Sequence, residues 1–200
     1  MMAEPKSLLQ MAGAPLTPAP LDKAAFVLID IQREYSEGGL KLPGVGAAVD
    51  EAAKLLTLAR AKGVPVFHIV HHGRPGGALF NPEGPMSEPV AAVAPKPGET
   101  VVPKGLPNAF AKTELDALIK KTGRGELIVA GFMTHLCVSA SVRAALDLGY
   151  RTTLVASATG TRDLPDPLGG VQQANQVHRA TLAALADRFA IVVKDASAWS

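Results

Sequence analysis

A carboxylate, an amine and a thiol fall at three widely separated points of this chain, each at or just beyond an apolar run. Asp30 closes "AAFVLID" (24–30), Lys104 closes "TVVPK" (100–104), and Cys137 follows soon after "ELIVAGF" (126–132). Each has an ordinary reading alone. A lone cysteine in an apolar helix is usually a small buried hydrophobe, an aspartate after a strand often serves a turn, and a lysine in a loop is usually solvated.

Together the three suit nucleophilic acyl transfer. A thiol near its free pKa of ~8.5 is mostly protonated at neutral pH and needs activation. A helix N-terminus favours thiolate. A neighbouring carboxylate takes the thiol proton as general base and later returns it to a leaving amine. An ammonium beside that carboxylate keeps it ionised and oriented. The turn "GFMTHLC" enters a helix and can aim backbone N–H groups at a developing oxyanion.

The elements between these residues supply a common edge. Strands are expected at 24–30, 64–70, 100–104, 126–132, 151–159 and 189–195, most of them apolar throughout, as in strands buried on both faces. Helices are expected at 45–63, at 113–121 with Thr113 as N-cap, at 137–148 closed by Gly149, and at about 170–188. Alternating strands and helices predict an α/β three-layer sandwich, a mostly parallel six-stranded sheet flanked by helices. Ligands of such sheets sit outside the carboxyl ends of the strands, where all three reactive residues fall. Residues 1–22 read as an N-terminal arm or mobile tail, and residues 23–200 as one domain. Residues 71–100 carry many Pro and Gly without periodicity, and a loop of that length suits a segment covering a functional site.

Composition narrows the function classes. The chain has 200 residues, 48% of them hydrophobic, a formal charge of +2 and one cysteine. That charge is too small and too dispersed for a nucleic-acid surface. One cysteine makes neither an internal disulfide nor a cysteine metal cluster. The apolar stretches stop short of the ~18 residues a membrane span needs, and the start of the chain reads as an extension rather than a signal peptide. A cytoplasmic protein acting on a small molecule is expected, with no nucleic-acid or membrane partner. The glycines of "LPGVGAAV" lack both phosphate-loop spacings, which excludes dinucleotide or ATP binding.

The segments "VLIDIQREY", "VVPKGLPNAF" and "IVAGFMTHLCVSASVRAALDLGY", in that order and spacing, resemble the signature segments of the isochorismatase-like cysteine hydrolase superfamily. The resemblance runs from about residue 24 to 195. It implies a Rossmann-like fold, a catalytic triad of Asp30, Lys104 and Cys137, and hydrolysis of a small amide or other C–N bond through a thioester. It also implies a cis peptide between Phe132 and Met133, an oxyanion hole made by the Met133 and Cys137 N–H groups, homo-oligomerisation, and no cofactor.

Candidate substrate contacts lie near these positions: Gln32 and Tyr35 after Asp30, Asn108 and Phe110 after Lys104, and Thr134 and His135 in the nucleophile turn. For each, a hydrogen bond that stabilises a loop is an equal alternative. Arg162 and Asp163 could pair locally or recognise a polar substrate, and His178 suits a structural role on its helix. His68, His71 and His72 suggest a metal, but on a strand His68 and His72 face one way and His71 the other. The resemblance adds that metal-dependent nicotinamidases carry an Asp-x-His pair in the loop before the first long helix. "EGGLKLPGVGAAVD" has no histidine, so no metal is expected. Rival readings are a vinyl ether hydrolase of the isochorismatase type, whose members commonly lack the cysteine, a metal-dependent nicotinamidase, disfavoured by the missing Asp-x-His, and a binding protein that kept the fold without activity.

Overall fold

The computed structural model describes residues 4–200. In chain order its elements are α1 (Leu8–Met11), β1 (Ala24–Ile29), α2 (Val45–Ala61), β2 (Val66–His71), β3 (Thr100–Lys104), α3 (Leu115–Lys121), β4 (Glu126–Phe132), α4 (Ser139–Asp147), β5 (Arg151–Gly160), the short β6 (Leu164–Pro165) and β7 (Val171–Gln172), α5 (Ala174–Arg188) and β8 (Ile191–Val193). The main sheet has the order β3-β2-β1-β4-β5-β8, and every pairing in it is parallel. The expected three-layer α/β architecture with six strands is present.

The two faces of β1 show how the layers hold together. Ala24, Phe26 and Leu28 pack into one apolar cluster with Val49, Ala52 and Leu56 of α2. Ala25, Val27 and Ile29 pack into the other with Leu115 and Ile119 of α3, Val142 of α4 and Leu185 of α5. A strand buried on both sides needs apolar residues at every position, as β1 has. The chain runs from β1 outward through β2 and β3, then returns to β4 on the other side of β1. That reversal opens a crevice between the carboxyl ends of β1 and β4.

Several expected boundaries shift. Helix α3 begins at Leu115 rather than Thr113; the Thr113 hydroxyl donates to the Ala109 carbonyl at 2.6 Å and only weakly accepts the Leu115 N–H at 3.4 Å. Helix α5 begins at Ala174 because residues 164–172 form an antiparallel hairpin instead. The described part of the N-terminal arm is docked. The Ala19 N–H donates to Thr153 Oγ1 at 2.8 Å, the Leu8 N–H to Asp187 at 2.8 Å, and the Trp199 indole to the Ala19 carbonyl at 2.7 Å. Residues 1–3 of the arm lie outside the described residues. No described helix is long and apolar enough to cross a membrane.

Candidate active site

Three strand ends deliver the reactive residues. Asp30 follows β1 with φ of 52°, a left-handed conformation uncommon for a side chain other than glycine. Its N–H donates to the Ile69 carbonyl at 2.9 Å and its own carbonyl accepts from Gln32 N–H at 2.8 Å, which fixes this turn. Lys104 ends β3, in register with His71 at the end of β2. Cys137 lies in a π-helical turn, Thr134–Val138, continuous with α4. Such turns are rare and concentrate at functional sites.

The three side chains converge in a buried cluster. Asp30 is 0% exposed, Lys104 3% and Cys137 4%. The Lys104 Nζ sits 2.7 Å from Asp30 Oδ2 and donates to Cys137 Sγ at 3.5 Å. Asp30 Oδ1 takes no hydrogen bond from nitrogen or hydroxyl donors among the described residues. The Lys104 ammonium and then the Cys137 thiol are the donors that oppose burial in setting the pKa of this carboxylate.

Burial governs the charges. It raises Asp30 to about 6, outweighing the attraction of the Lys104 ammonium. Burial and then the Asp30 charge push the Cys137 thiol up to about 12. Burial thus works against a thiolate, and the thiol keeps its need of a base. The helix-end dipole is a small effect beside removal of the sulfur from water. An ionised carboxylate beside a protonated thiol is an arrangement that can accept the thiol proton.

The nucleophile turn is anchored on both sides. The Phe132–Met133 peptide is cis, as expected. The Met133 carbonyl accepts from the Leu136 and Val138 N–H groups at 3.0 and 3.2 Å, while its own N–H has no acceptor among the described residues. Ser141, absent from the sequence-based candidates, donates to the Cys137 carbonyl at 2.7 Å and accepts from the Ala109 N–H at 2.9 Å. It thereby ties the loop after Lys104 to the nucleophile. The β4–β5 register shifts between Val129 and Gly131, which brings Gly160 and Thr161 beside the turn. Thr134 donates to the Gly160 carbonyl at 3.0 Å, and its single hydrogen is then spent. The 2.9 Å contact of Thr134 Oγ1 with His178 must be donated by Nδ1–H of the imidazole.

The six candidate substrate contacts divide by their partners. Gln32 is fully buried; its amide donates to the His71 and Ser87 carbonyls at 2.9 and 2.6 Å, and its oxygen accepts the His71 N–H at 2.8 Å. Thr134 is likewise engaged with the protein. Asn108 accepts the Phe110 N–H at 2.9 Å, and Phe110 stacks on Tyr150 at 6.0 Å. Tyr35 packs edge-on against Phe80 and Phe132, close enough to Asp30 and Cys137 that their charges add to burial in raising its pKa. His135 bonds Thr161, and burial followed by the nearby Arg162 charge lowers its pKa. Arg162 and Asp163 form no side-chain ion pair; an Arg162 amine donates to the Asp163 carbonyl at 3.1 Å, and its Nε is buried without an acceptor among the described residues.

The histidines separate as the strand alternation requires. His68 Nε2 lies 2.8 Å from Glu99, which also binds Arg60 at 2.7 Å, on the α2 side of the sheet. His71 Nδ1 lies 3.3 Å from Lys104 Nζ. No group of three metal-ligating side chains stands together among the described residues. Glu34 also escaped the sequence-based candidates. It is buried and accepts the Gly39 N–H at 2.6 Å and the Phe80 N–H at 3.1 Å, pinning two loops over the site.

Comparison with known proteins places the fold in a family. Residues 24–197 match the family model described as the isochorismatase domain. A solved isochorismatase from Pseudomonas putida KT2440 superposes with a TM-score of 0.92 at 43% identity, covering 97% of this chain and 99% of that one. The secreted isochorismatase effector Isc1 of Verticillium dahliae is 35% identical over 94% of this chain and 96% of its own length. The maleamate amidohydrolase of Pseudomonas putida is 35% identical over 70% of this chain and 73% of its own length. By its fold and by the extent of these matches, the chain belongs to the isochorismatase family.

Proposed function

We propose that this chain is a cysteine-dependent hydrolase of a small amide or related C–N bond, working through a thioester on Cys137. The observation that carries the reading is the buried Lys104 ammonium, 2.7 Å from the Asp30 carboxylate and 3.5 Å from the Cys137 sulfur. Asp30 takes the thiol proton as Cys137 Sγ attacks the carbonyl carbon. The carbonyl electron pair moves to oxygen, which rests on the Met133 and Cys137 N–H groups. Reforming the carbonyl breaks the C–N bond, and the departing nitrogen takes the proton from Asp30. Water then attacks the thioester, giving its proton to Asp30. Collapse releases the acid, and the sulfur recovers that proton.

The C–N reading draws support from the relative named a maleamate amidohydrolase. A thiol within bonding distance of the ammonium favours it over a vinyl ether hydrolase or an inactive binding protein, since neither needs that sulfur. Tyr35 and His135 line the reacting end. The unpaired Arg162 Nε, beside both, suits a substrate with an electron-rich group remote from the scissile bond. A reduced thiol nucleophile suits the cytoplasm. Homo-oligomerisation is part of the same reading and follows from the family resemblance.

The test is ammonia release from a panel of small amides, measured on wild type and Cys137→Ala. Turnover of at least one amide by wild type alone supports the reading. Equal rates in both proteins would refute it.

A further inference from the structure

The Lys104 ammonium has three hydrogens and three near neighbours: Asp30 Oδ2 at 2.7 Å, Cys137 Sγ at 3.5 Å and a side chain outside the triad. His71 Nδ1 lies 3.3 Å from Nζ. An ammonium can only donate, so Nδ1 accepts and the ring proton must sit on Nε2. The residue is held at its backbone by Gln32 and at its ring by Phe80. Its backbone N–H donates to Gln32 Oε1 at 2.8 Å, and its carbonyl accepts from Gln32 Nε2 at 2.9 Å. Its ring stands edge-on to Phe80 at 5.2 Å and 90°. Register adds a further constraint, because His71 and Lys104 are direct partners across β2 and β3.

We propose that His71 is a positioning residue: pinned by Gln32 and Phe80, its Nδ1 accepts the third hydrogen of the Lys104 ammonium and so fixes that ammonium between Asp30 and Cys137.

This role differs from metal ligation, since Nδ1 already faces a cation. It differs from substrate contact, because it acts through Lys104. Burial, then the Lys104 charge and His72, hold the imidazole down to about 4, so it stays neutral and able to accept. The charged or titratable groups around this point are Lys104, Asp30, Cys137 and His72, with Tyr35 against the same Phe80. Without the acceptor, a buried ammonium loses a partner and its hold on Asp30 loosens. The Asp30 pKa should then rise further, toward the value burial alone would set.

The inference rests on the proposed hydrolase reading, but its test does not need the substrate. The probe is iodoacetamide, followed by mass on the chain's one thiol across pH, in wild type, His71→Asn, His71→Gln and His71→Phe. Asparagine places its amide oxygen where Nδ1 stands, whereas glutamine reaches the Nε2 position. With Asp30 taking the thiol proton as sulfur attacks the reagent, the alkylation limb follows Asp30 ionisation; His71→Phe and His71→Gln should move its midpoint up by about one pH unit, a rate roughly tenfold lower on the rising limb. His71→Asn should stay close to wild type. A midpoint unchanged in His71→Phe overturns the proposal, as does an equal displacement in His71→Asn and His71→Gln. If His71→Phe does not fold, the asparagine and glutamine pair decides. Amide turnover by Cys137→Ala would instead sink the hydrolase reading, and it leaves the alkylation comparison untouched.

Discussion

A Cβ added to Gly131 would stand 2.0 Å from the Ile29 carbonyl oxygen, so β4 presses on β1 at the residue before Asp30. The two are register partners, and Gly131 has φ of 130°, a conformation open to glycine alone. The contact sets the spacing between the strand that ends in the base and the strand that leads to the nucleophile. Gly131→Ala should therefore cost about 3 kcal/mol or more of folding stability, since both backbone strain and overlap must be relieved. Urea unfolding measures it. A loss below about 1 kcal/mol would mean that the strands can part without harm.

The Asp30 carboxyl, raised by burial to about 6, sets a pH dependence. An acid whose pKa rises on folding binds its proton more tightly in the folded state. Its contribution to stability is thus greatest in acid and falls as pH rises from about 4 to 6. Catalysis needs the ionised form, so kcat/KM should rise through an acid limb near pH 6. Asp30→Asn should lose the limb and about a thousandfold in rate. A limb below pH 4.5 would contradict the environment described.

The Cys137 thiol, pushed up to about 12 by burial and the Asp30 charge, should be protonated at rest. Ultraviolet thiolate absorbance, with Cys137→Ala as the blank, should show no thiolate at pH 7. It should appear only above about pH 10. Full thiolate absorbance at neutral pH would replace concerted proton transfer with a preformed ion pair.

Thr134 joins the nucleophile turn to both β5 and α5. Thr134→Val keeps the shape but leaves the Gly160 carbonyl and the His178 N–H unpaired. Both groups are half-buried, so each costs less than the about 1–3 kcal/mol of a fully buried orphan, and an unfolding midpoint below wild type is expected. Removing the imidazole donor as well, in Thr134→Val with His178→Leu, should recover part of that loss. Additive losses in the double variant would show the pair to be uncoupled.

Much of the site was legible in sequence because it hangs on strand ends. "AAFVLID" and "TVVPK" announce both a buried strand and its last residue, so Asp30 and Lys104 could be placed before any coordinate. Cys137 was legible through its position after "ELIVAGF" and through the family resemblance. The cis Phe132–Met133 bond came from resemblance alone. What stayed hidden was carried by side chains reaching across the chain. Ser141 links Cys137 to Ala109, and Gln32 spans to residues 71 and 87. No periodicity encodes such contacts. His71 could have been found by aligning the ends of β2 and β3, where it pairs with Lys104. The burial that raises the Cys137 thiol is a property of the packed fold, which spacing along the chain does not show. The helix expected from about 170 overlaps only the end of the 164–172 hairpin, whose turn Gly169 and Gly170 make with positive φ.

The central claim is that the Cys137 sulfur carries the acyl group between two half-reactions. Intact-mass analysis after acid quench, during turnover of an amide found by the ammonia screen, tests it directly. Wild type should gain the mass of the substrate acyl group on the peptide containing Cys137, and the adduct should accumulate when hydrolysis is slowed. Steady turnover of that amide by Cys137→Ala, with no adduct on wild type under the same quench, would contradict the account.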